Sequence, residues 1–316
     1  MNDEQWKRRV VELKQERLPL PGSGATTARY RRLMQTGRED LSLAKVMEAH
    51  WDALAILAEA GRSPAQDELY AVWASEIPGK ALSLEPNNGG FILSGTKMFC
   101  SGAGLADRAL ITIGDAEKRM VEVDLKSNTS AVDIDTSGWK TSAFERTHTA
   151  TVTFDRVQLT PDAVVAEANW YVDRPGFWHG ACGPAACWAG GMLGLLDYAM
   201  KAKRDDPHTL AHLGAITANG WAVESFLETA GREIDEDPLN RSAAEVRALT
   251  VRHLIEQACT DTLRRFARAY GPHPMAMDAE VSRRYQELDL YLRQSHAERD
   301  MESLARAVKK YGGENP

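Results

Sequence analysis

The residues best placed to do chemistry in this chain follow one another at 97–104, Lys97-Met98-Phe99-Cys100-Ser101 and then Gly102-Ala103-Gly104. A strand that ends in a hydroxyl and runs into glycines lets a flat ligand approach the backbone closely. The same pattern also fits an ordinary antiparallel meander, and the residues alone leave both readings open. Just upstream, Pro86-Asn87-Asn88-Gly89-Gly90 separates two apolar runs. Asn-Gly in that setting predicts a hairpin, because the turn needs positive φ and Asn or Gly supplies it. A second candidate lies at 291–298, Tyr-Leu-Arg-Gln-Ser-His-Ala-Glu. Its imidazole, His296, is of the type that exchanges protons near neutrality. Gln294 cannot take a proton, and Glu298 lies four residues further on, about one helical turn away. The alternative is that Arg293, His296, Glu298 and Arg299 form a solvated helix start or an interface. His208 and His212 have the spacing of a metal pair but no third ligand beside them, so no metal is expected. Neither a Gly-rich phosphate loop after a strand nor a G-x-S-x-G elbow is present.

These residues need elements to hold them. To about residue 68 the pattern is helical, with helices predicted over 3–17, 26–34 and 40–60. On the last of these, Val46, Met47, His50, Leu54 and Leu57 share a face. His50 on that face reads as a core or interface histidine. From 69 to 165 the pattern turns to β. Short runs at 70–75, 81–85, 91–93, 97–101, 108–113, 120–125, 131–134 and 150–154 are separated by turn residues and read as a small barrel or sandwich. Beyond 166 helices return, over 180–204, 207–235, a helix opened by a capping box at Ser242-Ala243-Ala244-Glu245, and 278–310 with a break at 294–296. The chain is thus expected to be α+β and mostly α. It divides into an N-terminal helical domain (1–68), a middle antiparallel β-barrel or sandwich (69–165) and a C-terminal four-helix bundle (166–316).

Composition narrows the function classes. The 316 residues are 43% hydrophobic and 26% charged, ordinary for a globular protein, and the net charge of −7 disfavours a nucleic-acid partner. Cys100, Cys182, Cys187 and Cys259 form no C-x-x-C pair and are expected to be reduced, buried thiols of a cytoplasmic protein. Residues 175–196 carry no Asp, Glu, Lys or Arg, but their glycines make a closely packed helix the better reading than a membrane span.

Helices, then a β-domain, then long helices resembles the acyl-CoA dehydrogenase architecture over nearly the whole chain. The stretch Gly89–Asp107 resembles that family's middle β-domain, where a G-x-(apolar)-x-x-G-x-K-x-(W/F)-x-(S/T) run occurs. The resemblance implies that Phe99 and Ser101 contact a flavin. Val72-Trp73-Ala74-Ser75-Glu76 resembles the family strand that ends in Thr-Glu-Pro, which makes Trp73 and Ser75 further cofactor residues, through backbone and hydroxyl. Ile77-Pro78-Gly79-Lys80 stands where typical members have Gly-Ser-Asp, which weakens the case for a standard acyl-CoA tail pocket. Gly138-Trp139-Lys140-Thr141-Ser142 and the run after it resemble the family's G-x-R-x-S … V-x-F-x-x-V-x-V-P segment, with Trp139 read as structural.

The resemblance also implies FAD. Yet Leu210 and Gly220 occupy the places where members put the Arg and Gln that hold a neighbouring subunit's cofactor, and Gly271-Pro272 replaces a Gly-Gly turn. Gln294 falls nearest the family's carboxylate base, leaving His296 as the other catalytic candidate. The expected function is therefore a flavin-dependent oxidoreductase acting on an acyl thioester or related small carbonyl compound. The alternatives are a flavin-dependent monooxygenase of the same fold, or a fold relic that serves as a binding or scaffold subunit. The family also implies a homodimer or homotetramer, in keeping with a Gly/Ala-rich helix that needs a close partner, and an electron-transfer partner.

Overall fold

The computed structural model describes residues 1–76, 82–114 and 117–311. The 77–80 departure, Ala81 of the strand expected over 81–85, and Asp115, one of the turn residues expected between the strands at 108–113 and 120–125, lie outside the described residues. In chain order come helices α1 (Asp3–Leu13), α2 (Thr26–Glu39) and α3 (Leu41–Glu59). Strands β1 (Tyr70–Trp73), β2 (Ser83–Asn87), β3 (Gly90–Cys100), β4 (Arg108–Ile113), β5 (Arg119–Asp124), β6 (Val132–Asp135) and β7 (Ala150–Leu159) follow. Helices α4 (Trp170–Asp173), α5 (Pro175–Lys201), α6 (Pro207–Glu236), α7 (Arg241–Tyr270), α8 (Pro272–Met277), α9 (Ala279–Leu292) and α10 (Glu298–Tyr311) complete it. Two compact units result: Met1–Arg17 with Lys45–Phe177, and Leu18–Ala44 with Trp178–Pro316.

In the first unit, α1 opens on a reciprocal cap. Asn2 Oδ1 accepts from the Gln5 amide at 2.9 Å, and the Gln5 side chain accepts from the Asn2 amide at 3.0 Å. Trp6, Val10 and Leu13, one turn apart, bury its inner face. The β region forms two open sheets, ordered β1-β4-β5 and β2-β3-β7-β6, so it is a sandwich and no closed barrel is present among the described residues. One pairing is parallel, β1 with β4. The chain leaves the first sheet for β2 and β3 in the second before it returns, and a crossover of that length permits parallel pairing. The expected hairpin is there: Asn87 pairs with Gly90 across Asn88-Gly89, with Gly89 at φ 82°.

Alternation explains the double burial of the first sheet. Ala71, Trp73, Ala109, Ile111, Val121 and Val123 face the sandwich core. Tyr70, Leu110 and Met120 face the other way, onto Ala53, Ile56 and Leu57 of α3. The two runs expected at 91–93 and 97–101 are one strand, β3, because Gly95 (φ 117°) absorbs a bulge between them.

His50, 1% exposed, is the core histidine expected. Its Nδ1 accepts from the Tyr70 amide at 3.1 Å, and its Nε2–H donates to the Lys14 carbonyl at 3.1 Å. Burial lowers its pKa from 6.5 to about 4. The neutral ring is the folded form. Its contribution is therefore complete above the unfolded pKa and is lost as pH falls from about 6.5 towards 4. At about 1.4 kcal/mol per pH unit, the loss reaches roughly 3 kcal/mol. Urea unfolding at pH 7 and at pH 4.5 should show the fall, and His50→Gln should flatten it; equal slopes in both proteins would count against this role.

In the second unit, α6 is capped by Asp206, which accepts from the Thr209 amide at 3.0 Å, with Pro207 as first helical residue. The capping box expected at Ser242 is not used. Asn240 caps α7 instead, accepting from Ala243 at 3.0 Å, and the helix begins at Arg241. Asn is among the strongest caps, so the upstream residue captures the start. The break expected at 294–296 separates α9 from α10. The bundle also takes in α2, which packs on α6, and α10, which packs on α7. The small residues of α5 find their close partner inside the chain: a Cβ at Gly190 would fall upon the Met34 carbonyl of α2, and one at Gly191 upon the Leu41 side chain. The close partner expected of this helix is thus met within the chain. Among the described residues, no helix is long and apolar enough to cross a membrane.

Candidate functional site

Phe99 is where the sandwich departs from regular strand geometry. Lys97 pairs with Val152 and Cys100 with Ala150, so Met98 and Phe99 stand opposite one residue of β7. The bulge puts Phe99 at φ 57°, and its ring is 58% exposed. A bulky residue in the left-handed region costs on the order of 1–3 kcal/mol. Here the effect is to turn a large aromatic face outward beside Ser101.

Three ties hold this strand end. Trp73 is 2% exposed, and its Nε1–H donates to the Ser101 carbonyl at 3.0 Å. Trp73 thus supports the site from beneath, and the part of its strand end left for a ligand is backbone. Lys97, 5% exposed, donates from Nζ to the Thr112 carbonyl of β4 at 2.9 Å, and burial lowers its pKa. Gly102 N–H donates to the Thr147 carbonyl at 2.8 Å. Ser75 is exposed in the segment after β1, two residues beyond Trp73. Glu76, next to it, pairs with Lys118.

A row of hydroxyls reaches Ser101 from the loop before β7. Ser101 Oγ and Thr149 Oγ1 are 3.3 Å apart, Thr149 and Thr147 Oγ1 are 2.8 Å apart, and Thr147 donates to the Phe144 carbonyl at 2.7 Å. The same loop lines a cavity of about 420 Å³ with Thr136, Trp139, Lys140, Ser142, His148 and Thr149. Trp139 Nε1 donates to the Ala143 carbonyl at 2.8 Å, the structural role expected of it, while its ring walls the cavity. The volume is that of a small-molecule site, and four hydroxyl residues share the lining with Trp139, one cation, one carboxylate (Glu145) and one imidazole. Residues 145–149 carried no sequence-based expectation. The signal was present as Thr-His-Thr at the mouth of a strand, two hydroxyls flanking an imidazole.

Gln294 and His296 lie together in the turn between α9 and α10, in the second unit. His296 Nδ1 lies 3.2 Å from Asp300 Oδ1, and its backbone N–H donates to Asp300 Oδ2 at 3.1 Å. The ring is exposed. The Gln294 carbonyl accepts from Arg252 at 2.9 Å, and the same guanidinium donates to the Ala181 carbonyl at 2.8 Å and lies over the Trp188 ring. The turn is thus fastened to α5 and α7. Glu298 opens α10. Groups of three or more His, Cys, Asp or Glu able to hold a metal ion are absent among the described residues. All four cysteines are buried free thiols, and burial pushes Cys100 up to about 12.

No protein-family profile matches the chain, and no curated protein does. Solved structures do. The chain is similar to KijD3 in complex with FMN and a dTDP-linked amino-keto sugar, at TM-score 0.80 and 14% identity, over 97% of this chain and 86% of that one. It is similar to FMN-bound TdsC from Paenibacillus sp. A11-2, a dibenzothiophene monooxygenase, at TM-score 0.76 and 18% identity, over 89% of this chain and 82% of that one. Methanesulfinate monooxygenase MsuC from Pseudomonas fluorescens matches at TM-score 0.70 and 16% identity, over 96% of each chain. At such identities the likeness is one of fold. That fold is the acyl-CoA dehydrogenase-like one, mostly helical with a β-sandwich in the middle, as the sequence resemblance implied.

Proposed function

We propose that this protein is a flavin-dependent oxidoreductase that takes FMN and acts as a monooxygenase on a small polar molecule. The observation that carries the reading is the bulge that holds Phe99 outward two residues before Ser101, whose hydroxyl meets Thr149 of the cavity wall at 3.3 Å. An exposed aromatic face and a hydroxyl row suit a flat heteroaromatic ring with polar edges. A bound flavin supplies two-electron chemistry. Phe99 offers it a ring face, Ser101 and Thr149 offer its polar edge hydrogen bonds, and Ser75 and the backbone at Trp73 border the same strand ends.

FMN is preferred to FAD because Leu210 and Gly220 stand where the family's adenylate-side Arg and Gln would be, and because similar structures carry FMN. The monooxygenase reading is preferred to acyl-thioester dehydrogenation because Gln294 replaces the base carboxylate and the cavity lining is polar. In this reading His296, oriented by Asp300, exchanges a proton at its free ring nitrogen, and Gln294 orients a ligand. Self-association and supply of reduced flavin by an electron-transfer partner belong to the same proposal. Four buried thiols suit a reducing, cytoplasmic setting.

Titration of the purified protein with FMN and with FAD tests this. FMN should bind at micromolar concentration, more tightly than FAD, with quenched fluorescence. Ser101→Ala should weaken FMN about tenfold, the worth of one hydrogen bond of about 1.4 kcal/mol. Anaerobic acyl-CoA should leave the bound flavin yellow. Absence of binding by either flavin would overturn the proposal, and bleaching by acyl-CoA alone would return it to dehydrogenation.

A further inference from the structure

Seven non-glycine residues among those described have φ in the left-handed region. Three of them, Phe99, Phe144 and His148, lie on the two segments joined by the Gly102–Thr147 hydrogen bond. Phe144 is buried in the core at 1% exposure, and Phe99 forms the aromatic face described above. His148, at φ 45°, is exposed and lines the cavity together with Trp139 and Thr149. The left-handed backbone here closes the short turn at 145–147, with the His148 N–H donating to the Glu145 carbonyl at 3.1 Å, and leaves the imidazole at the cavity.

The opposite segment makes room for the ring. A Cβ at Gly104 would lie 3.0 Å from His148 Cβ and 3.2 Å from its Nδ1. The imidazole is thus seated against the backbone that follows Ser101, and a larger residue at 104 would displace it. The hydroxyls of Thr147 and Thr149 flank it in sequence and lead to Ser101.

We propose that His148 is an acid–base residue of this site and gives a proton to an oxygen of the bound small molecule as negative charge develops there. The inference rests on the flavin reading above and adds to it a group on the β-sandwich itself. In the step, the ring N–H bond breaks with its electron pair left on nitrogen, and an O–H bond forms on the ligand. The exposed ring then regains its proton from bulk water. The charged groups that line the cavity with it are Lys140 and Glu145. Arg146, in the same turn, is engaged with Asp3 at 2.9 Å and the Met1 carbonyl at 3.0 Å. The segment 101–104 opposite carries no titratable side chain.

His148→Asn tests the proposal, since Asn tolerates left-handed backbone and keeps the loop. Circular dichroism should be unchanged. Addition of FMN to the wild-type protein should shift one histidine Cε1–H resonance that the variant lacks. With externally reduced FMN, oxygen and indole as the probe, the wild-type protein should release an oxygenated product. In His148→Asn the rate of product formation should fall by about 100-fold, with partial recovery on adding free imidazole. A variant that binds FMN and keeps the wild-type rate overturns the inference and leaves the flavin reading standing. Failure of the wild-type protein to bind FMN overturns both.

Discussion

Gly190→Val should leave the helical unit unable to reach its native structure, with a loss of about 4 kcal/mol or more. A Cβ at 190 would fall upon the Met34 carbonyl oxygen and lie 2.7 Å from the Arg38 amide nitrogen and 2.9 Å from the Gly37 carbonyl carbon. All three belong to the α2 backbone, so no side chain can rotate away to make room. The partner residue is equally constrained, because a Cβ at Gly37 would lie 2.5 Å from the Cys187 carbonyl oxygen. The two helices touch backbone to backbone, and α2 would have to lift off α5. The control is Gly214→Ala on the exposed face of α6, where a Cβ meets nothing within 4 Å. That change should stabilise by up to about 1 kcal/mol, the helix-propensity difference between the two residues. Urea unfolding followed by circular dichroism reads both. A Gly190→Val midpoint close to that of wild type would show that α2 and α5 do not pack as described.

Asp40→Ala should be nearly as damaging, with an expected loss of about 3–5 kcal/mol. Asp40 is 1% exposed and does two things. Its Oδ1 accepts from the Leu43 amide at 2.9 Å and so caps α3. Its Oδ2 lies 2.9 Å from Arg283, which also reaches Glu287 at 3.3 Å, and Glu287, 1% exposed, accepts from the Ser42 hydroxyl at 2.6 Å. Removing one carboxylate leaves Arg283 with a single acid in a desolvated place, and the helix start without its cap. Asp40→Asn separates the two effects. The amide keeps the cap and loses the charge, so it should recover about 1 kcal/mol of the alanine loss, the typical worth of a cap. Equal losses for Asn and Ala would assign the whole effect to the ion pair.

Local signals make much of this fold legible in the sequence alone. The hairpin at Asn88-Gly89, the strand at Arg108–Ile113 and the break at 294–296 depend on residues near one another in the chain, and each lies where the sequence placed it. The face of α3 bearing Val46, Met47, Leu54 and Leu57 also followed from periodicity, and His50 on that face is the buried, neutral histidine expected of it. The order of helices, sandwich and helices pointed to the acyl-CoA dehydrogenase-like fold for the same reason. Repeated local patterns add up along the chain.

What needed the tertiary structure was set by partners distant in sequence. The start of α2 has Ala25 at its cap position and no side chain to close it; Asp235 of α6 accepts from Gly24 at 3.0 Å and Thr26 at 2.9 Å in its place. The parallel pairing of β1 with β4 depends on a chain reversal through the second sheet. At the candidate site, Phe99 and Ser101 were legible as residue types beside glycines. The bulge that turns Phe99 outward was not, because it arises from a mismatch with β7 some fifty residues later. Nor was the meeting of Ser101 with Thr149, or of Gly104 with His148. A sequence states which groups a chain owns and how each short segment prefers to bend; which hydroxyl faces which imidazole depends on strand register, and register is settled only when the two sheets close on their common core.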